Sequence, residues 1–118
     1  RIGKSRVTRE DADVVVLRPK HELLTWPNRI RSSDWDGWVV ERGLYFPEQF
    51  APEYVALLAM GDPSYARSNG SLLYARYGKG DYVYCALSLY RQLNTFHAGA
   101  CRLFANLVSP ARANQRDK

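Results

Sequence analysis

Two histidines in the 118-residue sequence are the first candidates for chemistry. His21 follows an apolar run and precedes Glu22, but the His-x-Glu end of a hydrolytic triad needs its carboxylate two positions after the histidine, where this chain has Leu23. We therefore expect His21 at a turn or on the surface. His97 precedes the last helical pattern, where an imidazole either binds an anion or caps the helix.

Charged side chains form a second group of candidates. The consecutive Glu41 and Arg42 are either a surface pair or a buried pair that fixes how a helix meets the next strand. Two arginines flank the segment before the last helix, and each either ties that segment to the sheet edge or binds a carboxylate or phosphate through its forked guanidinium. The candidate ligand-binding set consists of Arg91, His97, Arg102 and Asn106.

The two cysteines give no sign of catalysis. Cys85 lies on a predicted strand and Cys101 on a predicted helix, and no histidine is placed by sequence to activate either thiol, so both are interpreted as buried and inert. Their separation is wrong for a zinc pair, and Gly78-Lys79-Gly80 lacks the spacing of a phosphate loop. We predict no catalytic residue, no metal site and no cofactor in this chain.

The charge distribution argues against a nucleic-acid site. The net charge is +5, but residues 7–111 contain eleven basic and eleven acidic side chains, so the excess lies at the two ends. A nucleic-acid site concentrates lysine and arginine on a folded face. No apolar run approaches the roughly 18 residues of a membrane span. We therefore predict neither a nucleic-acid partner nor a membrane span.

Hydrophobic periodicity predicts the elements that position these side chains. Strands are predicted at Ala12–Arg18, Leu44–Phe46 and Glu53–Met60, and a hairpin at Ser71–Tyr77 and Asp81–Leu87. Helices are predicted at Ser33–Gly43 and Ala98–Val108, with a loop at Ser88–His97. The fold class is α/β, an α+β layer with a mixed sheet of four to five strands and two helices. Residues 1–11 are expected to be a linker or a flexible N-terminal end, residues 12–110 a single domain, and residues 111–118 a disordered tail.

The two predicted helices have different signals. The first begins at Ser33, which pairs with Asp36 in a capping pattern, and ends at Gly43. Its buried face carries Trp35 and Trp38. The apolar stripe of the second helix consists of Ala100, Leu103, Phe104, Leu107 and Val108, with Arg102 and Asn106 together off that stripe.

Four segments taken in order resemble a known pattern. They are HELLTWPNRI from His21, DWDGWVVERGLYFPEQF from Asp34, GSLLYARYGKGDYVYCALSLYRQL from Gly70 and GACRLFANLVS from Gly99. Together they resemble the C-terminal accessory region of long bacterial PIG-L (LmbE-like) deacetylases, a glutamine amidotransferase-like (ThuA-like) domain. The positions that match are His21, Pro27, Asn28, Trp38, Glu41, Arg42, Gly43, Arg91, Gln92, Arg102 and Asn106.

The resemblance implies the second half of a flavodoxin-like domain, with the chemistry on another segment. The zinc-binding His-Pro-Asp-Asp motif of the deacetylase domain is absent from this chain, as is the nucleophile-elbow cysteine of the amidotransferases. We therefore expect a non-catalytic accessory domain, either beside a neighbouring catalytic domain or in a homo-oligomer formed through an exposed sheet face. Its parent is either exported or cytoplasmic. The residues His21, Asn28, Trp38, Glu41, Arg42 and Gly43 are expected to be structural.

The alternative function is binding of a small ligand or carbohydrate. It uses Arg91, His97, Arg102 and surface tyrosines, because rows of exposed aromatic rings can stack on sugars. Strand alternation places some of the eight tyrosines on a covered face, where they would serve packing instead.

Overall fold

The structure, a computed structural model, describes residues 2–63 and 66–109. They form a mixed α+β fold with three small antiparallel sheets and two helices. The predicted α and β content is therefore confirmed, whereas the predicted single mixed sheet of four to five strands is wrong for these ranges. The predicted disordered tail at 111–118 lies outside the described residues. None of the helices described has the length and apolar character needed to cross a membrane.

The first sheet pairs strand β1 (Ile2–Val7) with strand β3 (Gly43–Pro47) in antiparallel orientation. Residues 1–11 were expected to be a linker, so β1 corrects that expectation. The sequence of β1 alternates poorly, and its strand conformation comes from its partner β3. Only Val7 of its apolar side chains is fully buried, at 1% exposure, while Ile2 is 62% exposed.

The segment predicted as one strand at Glu53–Met60 forms two short strands in different sheets. Strand β4 (Val55–Ala56) belongs to the third sheet, which contains the hairpin described next. Strand β5 (Leu58–Met60) pairs with strand β2 (Val14–Val16), and these two strands form the second sheet. Leu57 lies between them at 0% exposure. A continuous apolar run therefore marks burial here, but the chain changes sheets within it.

The predicted hairpin is confirmed. Strand β6 (Leu72–Tyr77) and strand β7 (Gly80–Cys85) pair in regular register from Leu72 opposite Cys85 to Tyr77 opposite Gly80. The turn has two residues, Gly78 and Lys79, because Gly80 already belongs to β7. Gly78 has a φ of 58°, which only glycine adopts without strain. The third sheet has the order β4-β6-β7.

The predicted helix at Ser33–Gly43 is wrong. Only a 3₁₀ turn forms, at Ser32–Trp35, and the chain leaves the helical region at Gly37 (φ 76°) and again at Val40 (φ 69°). The predicted helix end at Gly43 is also wrong, because Gly43 begins strand β3. A Cβ on Gly43 would lie 2.5 Å from the carbonyl oxygen of Ala86, so close packing and not a left-handed conformation requires glycine there.

Near this turn the predicted capping pair is wrong, whereas the predicted burial of the two tryptophans is confirmed. The side chain of Asp34, not of Asp36, closes the turn by accepting from the Arg31 amide at 2.7 Å. Trp35 and Trp38 are buried as predicted, with ring centroids 5.4 Å apart. The apolar pattern therefore predicted burial correctly although it predicted the wrong conformation.

The helices are α1 (Leu89–Asn94) and α2 (Ala98–Leu107). Helix α1 occupies the segment predicted as a loop, and α2 confirms the second predicted helix. The buried face of α2 is rotated from the predicted stripe, because Asn106 is fully buried while Phe104 is 43% exposed. A Cβ on Gly99 would collide with the backbone oxygen of Asp34, so glycine permits the close contact of α2 with the 3₁₀ turn.

Candidate functional site

The buried amide of Asn106 joins α2 to the loop that carries His21 and Asn28. Its Oδ1 accepts from the backbone amide of Asn28 at 2.9 Å, and its Nδ2 donates to the carbonyl oxygens of Leu23 at 2.9 Å and Asn28 at 2.7 Å. The side chain of Asn28 donates in return to the Arg102 carbonyl at 3.3 Å. These bonds satisfy both ends of the Asn106 amide inside the fold.

His21 caps the short 3₁₀ turn at Glu22–Leu24. Its Nδ1 accepts from the amide of Leu23 at 3.2 Å, and its ring packs edge-on against Tyr74 with centroids 4.7 Å apart. This contact matches the expected turn role.

Arg102 holds the same loop from outside. Its Nη2 donates to the carbonyl oxygen of Arg29 at 2.9 Å, and its Nε lies 3.4 Å from the carboxylate of Asp34. The guanidinium therefore ties α2 to two loop segments. Asp34 is a partner of Arg102 that no sequence pattern indicated.

His97 caps helix α2, which was one of its two predicted roles. Its Nδ1 accepts from the amide of Ala100 at 3.0 Å. Its Nε2 makes a short contact with the carbonyl oxygen of Asp36, which assigns the proton to Nε2 because a carbonyl only accepts. Both ring nitrogens are thus used by backbone groups of the fold.

Glu41 and Arg42 are both buried, but they do not pair with each other, so neither predicted alternative describes them. Glu41 is 5% exposed, and its Oε1 lies 3.4 Å from Nε of Arg91 on α1. Its Oε2 has no hydrogen-bond partner within the described residues. Arg91 also lies over the ring of Tyr90, 5.1 Å from its centroid.

The guanidinium of Arg42 connects three segments of backbone. Its Nε and Nη2 donate to the carbonyl oxygen of Ala12 at 3.0 and 2.8 Å, and its Nη1 donates to that of Trp35. It also lies 5.7 Å from the centroid of the Trp38 ring. Burial lowers the pKa of Arg42, and the charge of Asp11 is the largest effect that opposes this shift.

Gln92, on α1, contributes a contact that the sequence did not reveal. Its Oε1 accepts from the amide of Val39, and its Nε2 donates to the carbonyl oxygen of the same residue, both at 2.8 Å. The side chain thus pairs with Val39 as a neighbouring strand would. A glutamine in the middle of a polar-looking segment gave no signal of this role beyond its place in the resemblance pattern.

Each of the proposed ligand-binding residues therefore bonds to another part of the fold. Arg91, His97, Arg102 and Asn106 contact Glu41, backbone groups and Asp34. Within residues 2–63 and 66–109, no three His, Cys, Asp or Glu side chains converge to hold a metal ion.

Exposed apolar side chains at unusual backbone angles form a second feature. The non-glycine residues described with positive φ are Val40 (69°), Tyr45 (59°) and Phe96 (55°). Their side chains are 53%, 63% and 87% exposed. Left-handed angles are rare for residues other than glycine, and they are a genuine outlier for a β-branched residue such as valine.

A tyrosine-lined groove is the third feature. A cavity of about 710 Å³ is lined by residues of strands β6 and β7 and by Tyr54, and its lining includes Ala75, Tyr77 and Tyr82. The rings of Tyr54 and Tyr82 have centroids 6.0 Å apart and meet at 68°. Glu53, Arg76 and Asp81 also line the cavity.

The two thiols are expected to react very differently. Burial raises the pKa of Cys85 to about 11, whereas Cys101 is exposed, which corrects its predicted burial. At pH 8 we expect a thiol-titrating disulfide reagent to label one thiol quickly in the native chain and the second only in denaturant. Cys101→Ser should abolish the fast phase, and equal labelling rates for both thiols would contradict this assignment.

The raised pKa of Cys85 also predicts a dependence of stability on pH. Because the folded chain disfavours the thiolate, stability should be constant below the unfolded value of 9.0 and fall as the pH rises toward 11.

Comparison of the chain with protein-family models, with curated proteins and with solved structures gave no match.

Proposed function

We propose that this chain is an accessory interaction module that docks on a neighbouring catalytic domain of a PIG-L-type deacetylase polypeptide. In this proposal it has the layout of the second half of a flavodoxin-like domain. The four ordered segments of the resemblance support the assignment to such a polypeptide. One structural observation carries the docking role: large apolar side chains are exposed at Val40 and Phe96, where the backbone is strained.

Phe96 follows Thr95, the residue that caps the C-terminal end of helix α1. The amide of His97 donates to the carbonyl oxygen of Gln92 at 3.0 Å, and the amide of Phe96 donates to that of Leu93 at 3.1 Å. This pair of bonds is a Schellman motif, whose left-handed residue is usually glycine. Phenylalanine there is unfavourable for the backbone, and its side chain is 87% exposed. Such a residue gains its contacts from a partner.

Val40 has the same two properties. Its neighbour Val39 is held by Gln92, and its own amide donates to Oε2 of Glu10 at 3.1 Å. These bonds fix the left-handed angle and present a branched side chain that is 53% exposed. Strain of this kind persists only where surrounding contacts enforce it, and it clusters at functional sites. Because Gln92 belongs to α1, Val40 and Phe96 are positioned by the same helix.

Phe96→Gly should raise the free energy of unfolding of the chain by about 0.5–1 kcal/mol, because it removes the left-handed penalty and little packing. Chemical denaturation measures the change. The matched control is Asn94→Gly at the last residue of α1, which should lower stability by about 0.3 kcal/mol, because asparagine is only slightly better than glycine in a helix. A loss of stability in Phe96→Gly would mean that the phenylalanine ring packs within this chain, and it would contradict the proposal that the ring contacts a partner.

The catalytic part of the proposal is tested by acetate release from N-acetylglucosamine derivatives with zinc present. We expect turnover by the native polypeptide that carries this chain and none by the 118-residue chain alone. Turnover that co-purifies with the chain alone would overturn the non-catalytic role. Absence of turnover in the native polypeptide would overturn the deacetylase assignment.

Carbohydrate binding is a second candidate, and the tyrosine-lined groove favours it. Tyrosine offers a ring face for the apolar side of a sugar and a hydroxyl for its polar edge. Acidic and basic groups occur together at the groove, which suits a neutral ligand whose hydroxyls both donate and accept. The set Arg91, His97 and Arg102 has less support, because contacts within the fold occupy these side chains.

Calorimetry with cellotetraose and chitotetraose tests this candidate. We expect Tyr82→Ala to weaken binding about tenfold, because it removes both the ring face and the hydroxyl that the sugar would contact. Tyr90→Ala is the control, because Tyr90 is similarly exposed, at 57% against 49%, but lies on α1. No heat with either sugar, or an equal loss in both variants, would remove the groove as a sugar site.

A further inference from the structure

Strand β7 forms an open edge of the third sheet. Within the described ranges it pairs with β6 alone. Natural edge strands are usually protected from pairing with another chain by lysine, proline, a bulge or short length. The sequence Gly80–Cys85 has neither lysine nor proline, its register is regular, and it is six residues long. Its one charged side chain, Asp81, accepts a hydrogen bond from the Tyr74 hydroxyl of β6.

The direction of the free backbone groups follows from the hairpin geometry. Tyr77 and Gly80 flank a two-residue turn, so Gly80 bonds to β6, and every second residue after it does the same. The amide of Ala86 donates to the carbonyl oxygen of Ser71 at 2.8 Å, in the same phase. The backbone groups of Asp81, Val83 and Cys85 therefore point away from β6.

We propose that two copies of this chain pair through β7, antiparallel, about a two-fold axis at Val83. In this register Val83 faces Val83 of the second copy, and Asp81 faces Cys85 of the second copy. The outward backbone groups of Asp81, Val83 and Cys85 in both copies then form hydrogen bonds between the copies. The result is a six-stranded antiparallel sheet in which each copy uses the same surface, as a two-fold interface requires.

The side chains fit this register. Tyr82 lies opposite Tyr84 of the second copy on one face, and such aromatic pairs stabilise neighbouring strands. No like charges oppose each other. An axis at Asp81 would place two carboxylates together. An axis at Cys85 would require the backbone groups of Leu87, whose carbonyl oxygen already accepts from the Leu89 amide at 2.8 Å. The inference does not rest on the proposed function, because it concerns neither Val40 nor Phe96.

Sedimentation measures the oligomer. We expect the wild-type chain to reach twice its mass of 13.5 kDa at hundreds of micromolar. Val83→Pro should be monomeric, because it removes an outward amide without removing a bond to β6. Val83→Thr keeps the amide and should remain dimeric. A monomeric wild type, or a dimer that survives in folded Val83→Pro, would overturn the proposal.

Oxidative cross-linking tests the register and does not depend on Val83→Pro folding. In the proposed pair the two Cα atoms at position 83 are about 5.5 Å apart, within the range for a disulfide. In a Cys101→Ser background, which removes the exposed native thiol, Val83→Cys should therefore form a covalent dimer on a non-reducing gel. Lys79→Cys, at the exposed turn, should not. Equal cross-linking of both variants, or none in Val83→Cys, contradicts pairing at Val83.

Discussion

Replacing Arg42 by methionine is expected to lower the free energy of unfolding by about 2–4 kcal/mol. The side chain is 4% exposed, so water cannot replace its bonds to the carbonyl oxygens of Ala12 and Trp35. Methionine keeps much of the packing volume against Trp38 but leaves both carbonyl groups without their donors. The measurement is urea denaturation followed by tryptophan fluorescence, since Trp35 and Trp38 report on this region.

Two further variants separate the hydrogen bonds from the charge. Arg42→Lys retains a positive charge, but one ammonium group cannot reproduce a forked arrangement to two carbonyls, so it should recover less than half of the loss. Arg18→Met makes the same change at an exposed position and should alter stability by less than about 0.5 kcal/mol. If Arg42→Met were as stable as Arg18→Met, the guanidinium would not be a structural clamp.

Asn106→Leu is expected to cost about 2–3 kcal/mol. The substitution preserves size but removes the acceptor of the Asn28 amide and the donor to the Leu23 carbonyl in a site with 0% exposure. Three backbone groups would be left without partners. The matched control is Asn94→Leu, where the asparagine is exposed on α1 and the change should be within about 0.5 kcal/mol.

Hydrogen exchange in Asn106→Leu distinguishes a structural role of Asn106 from a ligand-binding role. A structural role predicts that the loop at Asn28 exchanges its amide hydrogens faster in Asn106→Leu without any ligand present. If that variant were as stable as Asn94→Leu, Asn106 would be dispensable to the fold and its assignment to a ligand site would be favoured.

Local patterns predicted the hairpin and helix α2 because those signals lie within the elements themselves. The alternation of β6 and β7 and the glycine turn are local, as is the apolar spacing of Ala100 and Leu103. The capping role of His97 was one of two predicted alternatives for the same reason. The sequence therefore predicted part of the fold correctly, namely the hairpin and helix α2.

The failures arise where distant contacts override local preference. The segment around Val40 has helical spacing, but Val39 bonds to the side chain of Gln92, 53 positions away, and the chain is left-handed at Val40. The guanidinium of Arg42 donates to the carbonyl oxygen of Ala12, which lies 30 positions away in the sequence. Strand β1 exists because β3 pairs with it. No pattern within these segments specifies those partners.

The measurement that tests the central claim most directly is hydrogen exchange in the proposed deacetylase polypeptide compared with the 118-residue chain. Docking through Val40 and Phe96 predicts that amides of residues 37–42 and 94–97 exchange about tenfold or more slowly in the polypeptide, because docking adds protection to locally opening segments. The exposed turn at Gly78 and Lys79 should exchange equally in both. Identical exchange at residues 37–42 and 94–97 would contradict the account.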